Sequence, residues 1–181
     1  DPLNPDEGTE FTAQLAQFSS LEQLMNINDN ISAMNTASSN SDNIALLNTI
    51  GKEVLYSGDS FKYSSGEIEV GYLLPSDATS AKIDITLDGQ IIKTINGTDL
   101  TKGAHTYVWD GLDADGNQAP AGDYKISVTA EDSTGASMNA GPILKSTVTG
   151  VNLDPILGAS LDTTIGDIES YAYILGIYEK D

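Results

Sequence analysis

From Phe11 to Met34, apolar residues return every three or four positions, at Phe11, Leu15, Phe18, Leu21, Leu24, Met25, Ile27, Ile31 and Met34. That spacing predicts an α-helix whose apolar side chains gather into one stripe. The helix cannot begin within Asp1-Pro2-Leu3-Asn4-Pro5, because proline lacks an amide donor and restrains its predecessor. Thr9 is the expected N-cap, and Glu7 and Glu10 suit the positive end of the helix dipole. A lone amphipathic helix gains little until its apolar face is covered, so the stripe requires a partner. The run Asn35-Thr36-Ala37-Ser38-Ser39-Asn40-Ser41 is too polar to offset its chain entropy and is expected to be a linker. After it, Asp42 is expected to cap a short helical stretch carrying Ile44, Leu47 and Ile50 on one face and ending at Gly51.

At Lys52 the pattern changes. Short runs of Val, Ile, Tyr and Thr are divided by Ser57-Gly58-Asp59, Ser65-Gly66, Asp88-Gly89, Asn96-Gly97 and Asp115-Gly116-Asn117, which predicts strands of a sandwich or small barrel. Asp88-Gly89, flanked by Ile83, Ile85, Leu87 and Ile91, is a two-residue hairpin signal because both positions tolerate positive φ. Alternation over residues 124–130 places Tyr124, Ile126, Val128 and Ala130 on one face, expected to be core. The tail from Gly150 to Asp181 is strand-rich after an expected loop around Leu157-Gly158-Ala159-Ser160. It is too short to fold alone and is expected to pair with the strands just after Lys52.

Composition narrows the function classes. The 181 residues include 39% apolar ones, sufficient for a core, and carry a formal net charge of −19. Such a field repels phosphate backbones and anionic lipid, and all eight basic residues are Lys, so nucleic acid is excluded as a partner. The chain has no Cys, which rules out disulfides, zinc-thiolate sites and thiol nucleophiles. No apolar run approaches the ~20 residues a membrane helix requires, so no membrane insertion is expected. The chain opens at Asp1 without Met, and the expectation is that an upstream segment has been removed.

Candidate chemistry is sparse. One His, His105, lies in an expected strand with no Ser or Asp tied to it, so it is taken as a plain strand residue, and no catalytic residue is assigned. Carboxylate pairs carry no weight in so acidic a chain. Asp110, Asp113, Asp115 and Asn117 form an oxygen-rich set suited to Ca²⁺, the one candidate metal site. It lacks the twelve-residue loop and terminal Glu of an EF-hand, and an acidic hairpin loop with Asx turns accounts for it more simply. Trp109 is either a binding aromatic or, in a Tyr-Val-Trp strand entering an Asp-Gly turn, a core plug. Tyr107 and Trp109 share a face of that strand, which suits the core.

Two blocks of sequence are similar to one family. Asp1-Pro2-Leu3-Asn4-Pro5 with Thr9-Glu10-Phe11-Thr12-Ala13-Gln14-Leu15-Ala16-Gln17-Phe18-Ser19-Ser20-Leu21-Glu22-Gln23-Leu24 resembles the N-terminal signature of the flagellar hook-capping proteins (FlgD), also described as basal-body rod modification proteins. Gly103-Ala104-His105-Thr106-Tyr107-Val108-Trp109-Asp110-Gly111, continuing through Asp115-Gly116-Asn117 to Pro120-Ala121-Gly122-Asp123-Tyr124, resembles their Ig-like module. Ile50-Gly51-Lys52-Glu53-Val54 looks like the entry to a tudor-like unit and Val148-Thr149-Gly150-Val151 like the return to it, while Leu153 to Asp167 is longer than the usual return.

The resemblance implies a mainly β fold, a fibronectin/Ig-like sandwich inserted in a small tudor-like barrel, preceded by the amphipathic helical segment. The implied division is an assembly segment at 1–34, a linker with a short helix at 35–50, a tudor-like unit from 51–65 with 150–181, and the sandwich at 66–149. It also implies a non-catalytic scaffold without cofactor, exported through the flagellar type III apparatus to the tip of the growing rod or hook. Its partners would be the hook protein, further copies of itself and the export apparatus. Phe11, Leu15, Phe18, Leu21, Leu24, Met25 and Ile31 are the expected assembly residues. The competing reading is an extracellular β-sandwich module for carbohydrate or Ca²⁺-dependent adhesion, built on Trp109 and the acidic loop.

Overall fold

The structure, a computed structural model, describes residues 15, 17–31, 46–154 and 158–180. Thr9, Phe11, Met34, the expected linker Asn35–Ser41, Asp42 and Ile44 lie outside the described residues. The chain divides into two units, Asp1–Ala45 and Leu46–Asp181.

In the first unit, residue 15 and residues 17–31 are helical, the latter named α1. The good helix formers Leu21, Glu22, Gln23, Leu24 and Met25 stand together at its centre, and neither Gly nor Pro interrupts it.

The second unit is built from strands. In chain order they are β1 (Glu53–Ser57), β2 (Ser60–Tyr63), β3 (Ile68–Leu74), β4 (Ser80–Leu87), β5 (Gln90–Asn96) and β6 (Gly103–Trp109). Then follow β7 (Gly122–Glu131), β8 (Gly141–Asp154), β9 (Gly158–Thr163), β10 (Gly166–Ile168) and β11 (Ile174–Tyr178). One sheet has the order β2-β7-β4-β5. The other runs β10-β9-β8-β1-β11, with β3 branching from β8 to reach β6.

Two sub-structures share β8. Its first part, from Gly141, pairs with β3, so that β6, β3 and β8 form the second layer of an Ig-like sandwich. Its later part pairs with β9 while its middle pairs with β1, and β1 in turn holds β11, giving a half-barrel whose outermost strands, among the described residues, are β10 and β11. The register of β8 against β9 slips between Val148 and Gly150. Such a bulge bends a strand, letting one strand serve both sub-structures. The tail thus returns to the strand that follows Lys52, with Val54 opposite Ile177.

Local chemistry explains the hairpins and the core. Asp88 and Gly89 adopt φ of 50° and 81°, the conformation of a type I′ turn, joining β4 to β5 with Leu87 opposite Gln90. On β7, Tyr124, Ile126 and Ala130 are buried and Val128 is partly so, as the alternation predicts. Four aromatic rings fill the centre of the sandwich. Phe61 stacks on Tyr124 at 5.6 Å between centroids, and Trp109 lies 4.8 Å from Tyr63 and 5.4 Å from Tyr124. The Tyr124 hydroxyl donates to the Pro120 carbonyl at 2.7 Å, the tyrosine corner found in Ig-type sandwiches. Buried Asp84 accepts from the Thr94 hydroxyl at 2.6 Å and pairs with Lys82 at 2.7 Å, so its charge is compensated.

Three sequence expectations differ from this structure. The expected loop around residues 157–160 is instead largely strand, since Gly158–Thr163 forms β9 and Leu161 on it is 1% exposed. Pairing with β8 outweighs the small side chains of Gly158, Ala159 and Ser160. Before β1, the side chains turned inward are Leu46 and Thr49, whereas Leu47 and Ile50 are exposed. The hydroxyl of Thr49 donates to the Leu46 carbonyl at 2.6 Å, which satisfies a polar group on the buried side. Finally, β2 lies on the barrel side of the expected 65/66 boundary, yet its hydrogen bonds go to β7 in the sandwich.

Candidate functional site

The expected assembly residues lie on the helical unit. Leu15, Phe18, Leu21, Leu24, Met25 and Ile31 are all exposed, from 51% at Leu15 and Ile31 to 69% at Phe18, while Phe11 lies outside the described residues. Ile27, at 52%, stands in the same row. These large apolar side chains are concentrated on one helix rather than scattered singly.

The oxygen-rich set sits in the loop between β6 and β7, closed by the Leu112–Gln118 bridge. One oxygen of Asp113 accepts the amides of Asp115 at 2.9 Å and Asn117 at 2.8 Å, and Asp110 accepts the amide of Leu112 at 3.1 Å. The amide of Asn117 holds the Asp113 carboxyl below its ordinary range, with the Asp115 and Gly116 amides adding to the effect despite some desolvation. These carboxylates are therefore engaged as Asx turns, tying the loop to its own backbone. Among the described residues, no group of three or more His, Asp or Glu side chains is arranged to hold a metal ion.

Trp109 is 1% exposed and its indole N–H donates to the Leu112 carbonyl at 2.9 Å. No face of the ring is open to a sugar, and the residue is the core plug of the sandwich. His105 lies on β6, with Nε2 at 2.7 Å from the Thr101 carbonyl and Nδ1 at 3.4 Å from Asp99. No nucleophile stands beside it in these contacts.

A tyrosine pair escaped the sequence reading. The Tyr72 and Tyr107 hydroxyls are 2.7 Å apart, and Tyr72 donates to the Asp99 carbonyl at 2.5 Å. Tyr107 accepts the amides of Thr98 at 2.9 Å and Asp99 at 3.2 Å. Burial pushes Tyr72 above the usual tyrosine range, whereas at Tyr107 burial is outweighed by these amide donors and by Tyr72, and its pKa falls. The pair pins the connection from β5 to β6, and the two tyrosines are too far apart in sequence for any local pattern to announce it. A second link, Lys145 to Glu53 at 2.7 Å and Glu69 at 2.9 Å, ties β8 to β1 and β3.

The geometry therefore holds a braced β body and an exposed apolar helix. Comparison with known proteins assigns both. The family model for the FlgD Ig-like domain matches residues 58–134, which run from just before β2 to just past β7. The model for the N-terminal region of flagellar hook capping proteins matches residues 1–33. The basal-body rod modification protein FlgD of Escherichia coli K12 is 31% identical over 160 residues, spanning 83% of this chain and 69% of that protein. The chain belongs to the FlgD family. FlgD of Salmonella typhimurium is likewise 31% identical over 161 residues, covering 83% of this chain and 68% of that protein. Among solved structures, FlgD from Xanthomonas campestris, described for its hook capping in flagellar assembly, is similar at a TM-score of 0.65 and 25% identity, covering 75% of this chain and 98% of that one. FlgD from Pseudomonas aeruginosa shares the fold at a TM-score of 0.58 and 22% identity, covering 71% of this chain and 97% of that one. Membership in the FlgD family places the protein with the hook-capping components of the bacterial flagellum. No helix among the described residues is long and apolar enough to cross a membrane.

Proposed function

We propose that this protein is a hook-assembly scaffold that oligomerises at the growing hook tip and guides hook subunits into place, without catalysing a reaction. The observation that carries this reading is the row of exposed apolar side chains on α1, from Phe18 to Ile31, in a chain whose β unit has its own buried core. An apolar row of this kind recovers its burial energy only in an assembly. In this reading the partners are other copies of the chain and the hook protein, and the flagellar type III apparatus delivers the scaffold to its site. The helical segment makes the assembly contacts, and the sandwich with its half-barrel is the rigid support.

Phe18→Asp tests the reading. It should abolish association with the hook protein or with other copies in a pull-down and leave the thermal transition of the β body unchanged. Undiminished binding by the variant would sink the assembly role of the helix. In cells, the tagged wild type should sit at the tips of unfinished hooks, and the variant should not.

A further inference from the structure

The outer strands of the β unit are not equally guarded. Beside β5, the Ala114 amide donates to the Ile92 carbonyl at 3.0 Å and the Lys93 amine to the Asp113 carbonyl at 3.0 Å, so the loop between β6 and β7 covers that edge. β10 is only three residues long, and the Ile165 carbonyl just before it accepts the Lys62 amide at 2.7 Å. On β6 the large apolar side chain left exposed is Val108. β11 differs from all of these, because among the described residues it pairs with β1 alone. Its sequence, Ile174-Leu175-Gly176-Ile177-Tyr178, has neither a charge nor a proline, the devices by which edge strands discourage further pairing. Together with the turn before it, β11 exposes Tyr171, Tyr173, Leu175, Ile177 and Tyr178, each by 41–52%.

A pocket of about 480 Å³ opens at the start of this strand, where Tyr173 precedes Ile174. Tyr56, Asp59, Asp167, Glu169 and Tyr173 line it, and no basic side chain does. The three carboxylates are exposed and form no ion pair among the described residues, whereas past the other end of β11 Glu179 is already paired with Lys52 at 2.6 Å. Two phenol rings beside uncompensated carboxylates suit a cationic side chain, above all a guanidinium, which stacks on aromatic rings and meets carboxylates through its planar fork. This chain has no Arg, and a second copy would bring a further charge of −19, so the complementary occupant is a different protein.

We infer that β11 receives an extended segment of a partner protein as an added strand, with an Arg or Lys of that segment seated in the pocket of Tyr56, Asp167, Glu169 and Tyr173. In this mode main-chain hydrogen bonds supply affinity and side-chain pockets supply specificity. Apolar side chains of the segment cover Leu175, Ile177 and Tyr178, and its cation compensates carboxylates that the fold leaves unpaired. The site lies on the half-barrel and depends neither on α1 nor on the scaffold reading.

Selection of a phage-displayed library of random linear peptides on the full chain tests the inference, after depletion on the Ile177→Lys variant to remove peptides that bind any other surface. Enriched peptides should alternate apolar with polar residues and carry Arg or Lys at one end. A synthetic peptide of the enriched sequence should slow hydrogen exchange at the amides of β11. Asp167→Asn combined with Glu169→Gln should weaken that peptide by about tenfold or more, and Ile177→Lys by a similar factor, with the thermal transition of both variants unchanged. No enrichment, enriched peptides that lack a cation, or protection that spares β11 would each overturn the inference. Wild-type self-association that disappears in Ile177→Lys would give the edge to a second copy and overturn it as well. Full protection of the β11 amides in the free chain would assign the edge to a segment of this chain, with the same result.

Discussion

Gly111 and Gly116 share the loop between β6 and β7 and both have positive φ, 75° and 83°, yet they should respond differently to substitution. A Cβ at Gly116 meets nothing within 4 Å, whereas one at Gly111 would overlap the Tyr63 hydroxyl. Gly116→Ala should therefore cost only the backbone penalty of about 1–2 kcal/mol. Gly111→Ala should cost more, roughly 3 kcal/mol or above, because it also displaces Tyr63 from its place against Trp109. Urea unfolding of the two variants side by side separates the terms, and equal losses would contradict the packing argument. At Tyr56, burial pushes the hydroxyl from 10.0 up to about 12, with the charge of Asp167 adding to it and a hydrogen bond with Thr163 opposing. A folded pKa above the unfolded one gives stability that is complete below pH 10 and is lost as pH rises toward 12. The loss across that window should be about 2–3 kcal/mol. Tyr56→Phe should flatten the alkaline limb of the stability curve, and an unchanged limb would assign it to other groups.

At the scale of elements, the signals that could be read were those whose physics is local. Asp88-Gly89 forms its turn because both residues accept positive φ, and the alternation around Tyr124 fixed the inward face of β7. The helical spacing of Phe18 to Ile31 likewise survives as α1. What the sequence concealed depends on partners distant in the chain. Gly158, Ala159 and Ser160 have weak strand preference and become β9 only because β8 continues past its bulge to meet them. The same long strand, serving the sandwich at one end and the half-barrel at the other, has no signature in its residues taken singly. The acidic loop was legible as composition but not as role, because the amides that occupy Asp113 come from the loop's own path. If β9 is a structural strand, Leu161→Ala should destabilise the chain by about 2–5 kcal/mol, as for other fully buried leucines. A loss below about 0.5 kcal/mol, the range of surface sites, would return the segment to a loop.

The whole molecule carries −19, and no basic residue precedes Lys52, so the helical unit bears carboxylates without any lysine to balance them. Copies that assemble through α1 bring like charges together, and the apolar contact must overcome that repulsion. Screening then acts in one direction. The Debye length falls from about 30 Å at 0.01 M salt to about 8 Å at 0.15 M, which removes repulsion between surface charges and leaves the buried apolar contact nearly unaffected. Self-association measured by sedimentation equilibrium should therefore tighten with salt, by about tenfold over that range if screening recovers about 1.4 kcal/mol. Attraction to a basic partner would weaken over the same range, because the complementary charges would be screened. The sign of the salt dependence thus separates the two kinds of contact that a scaffold makes. Tightening supports copies packed through the apolar row of α1, and weakening of self-association would mean that opposite charges, not the apolar row, hold the copies together.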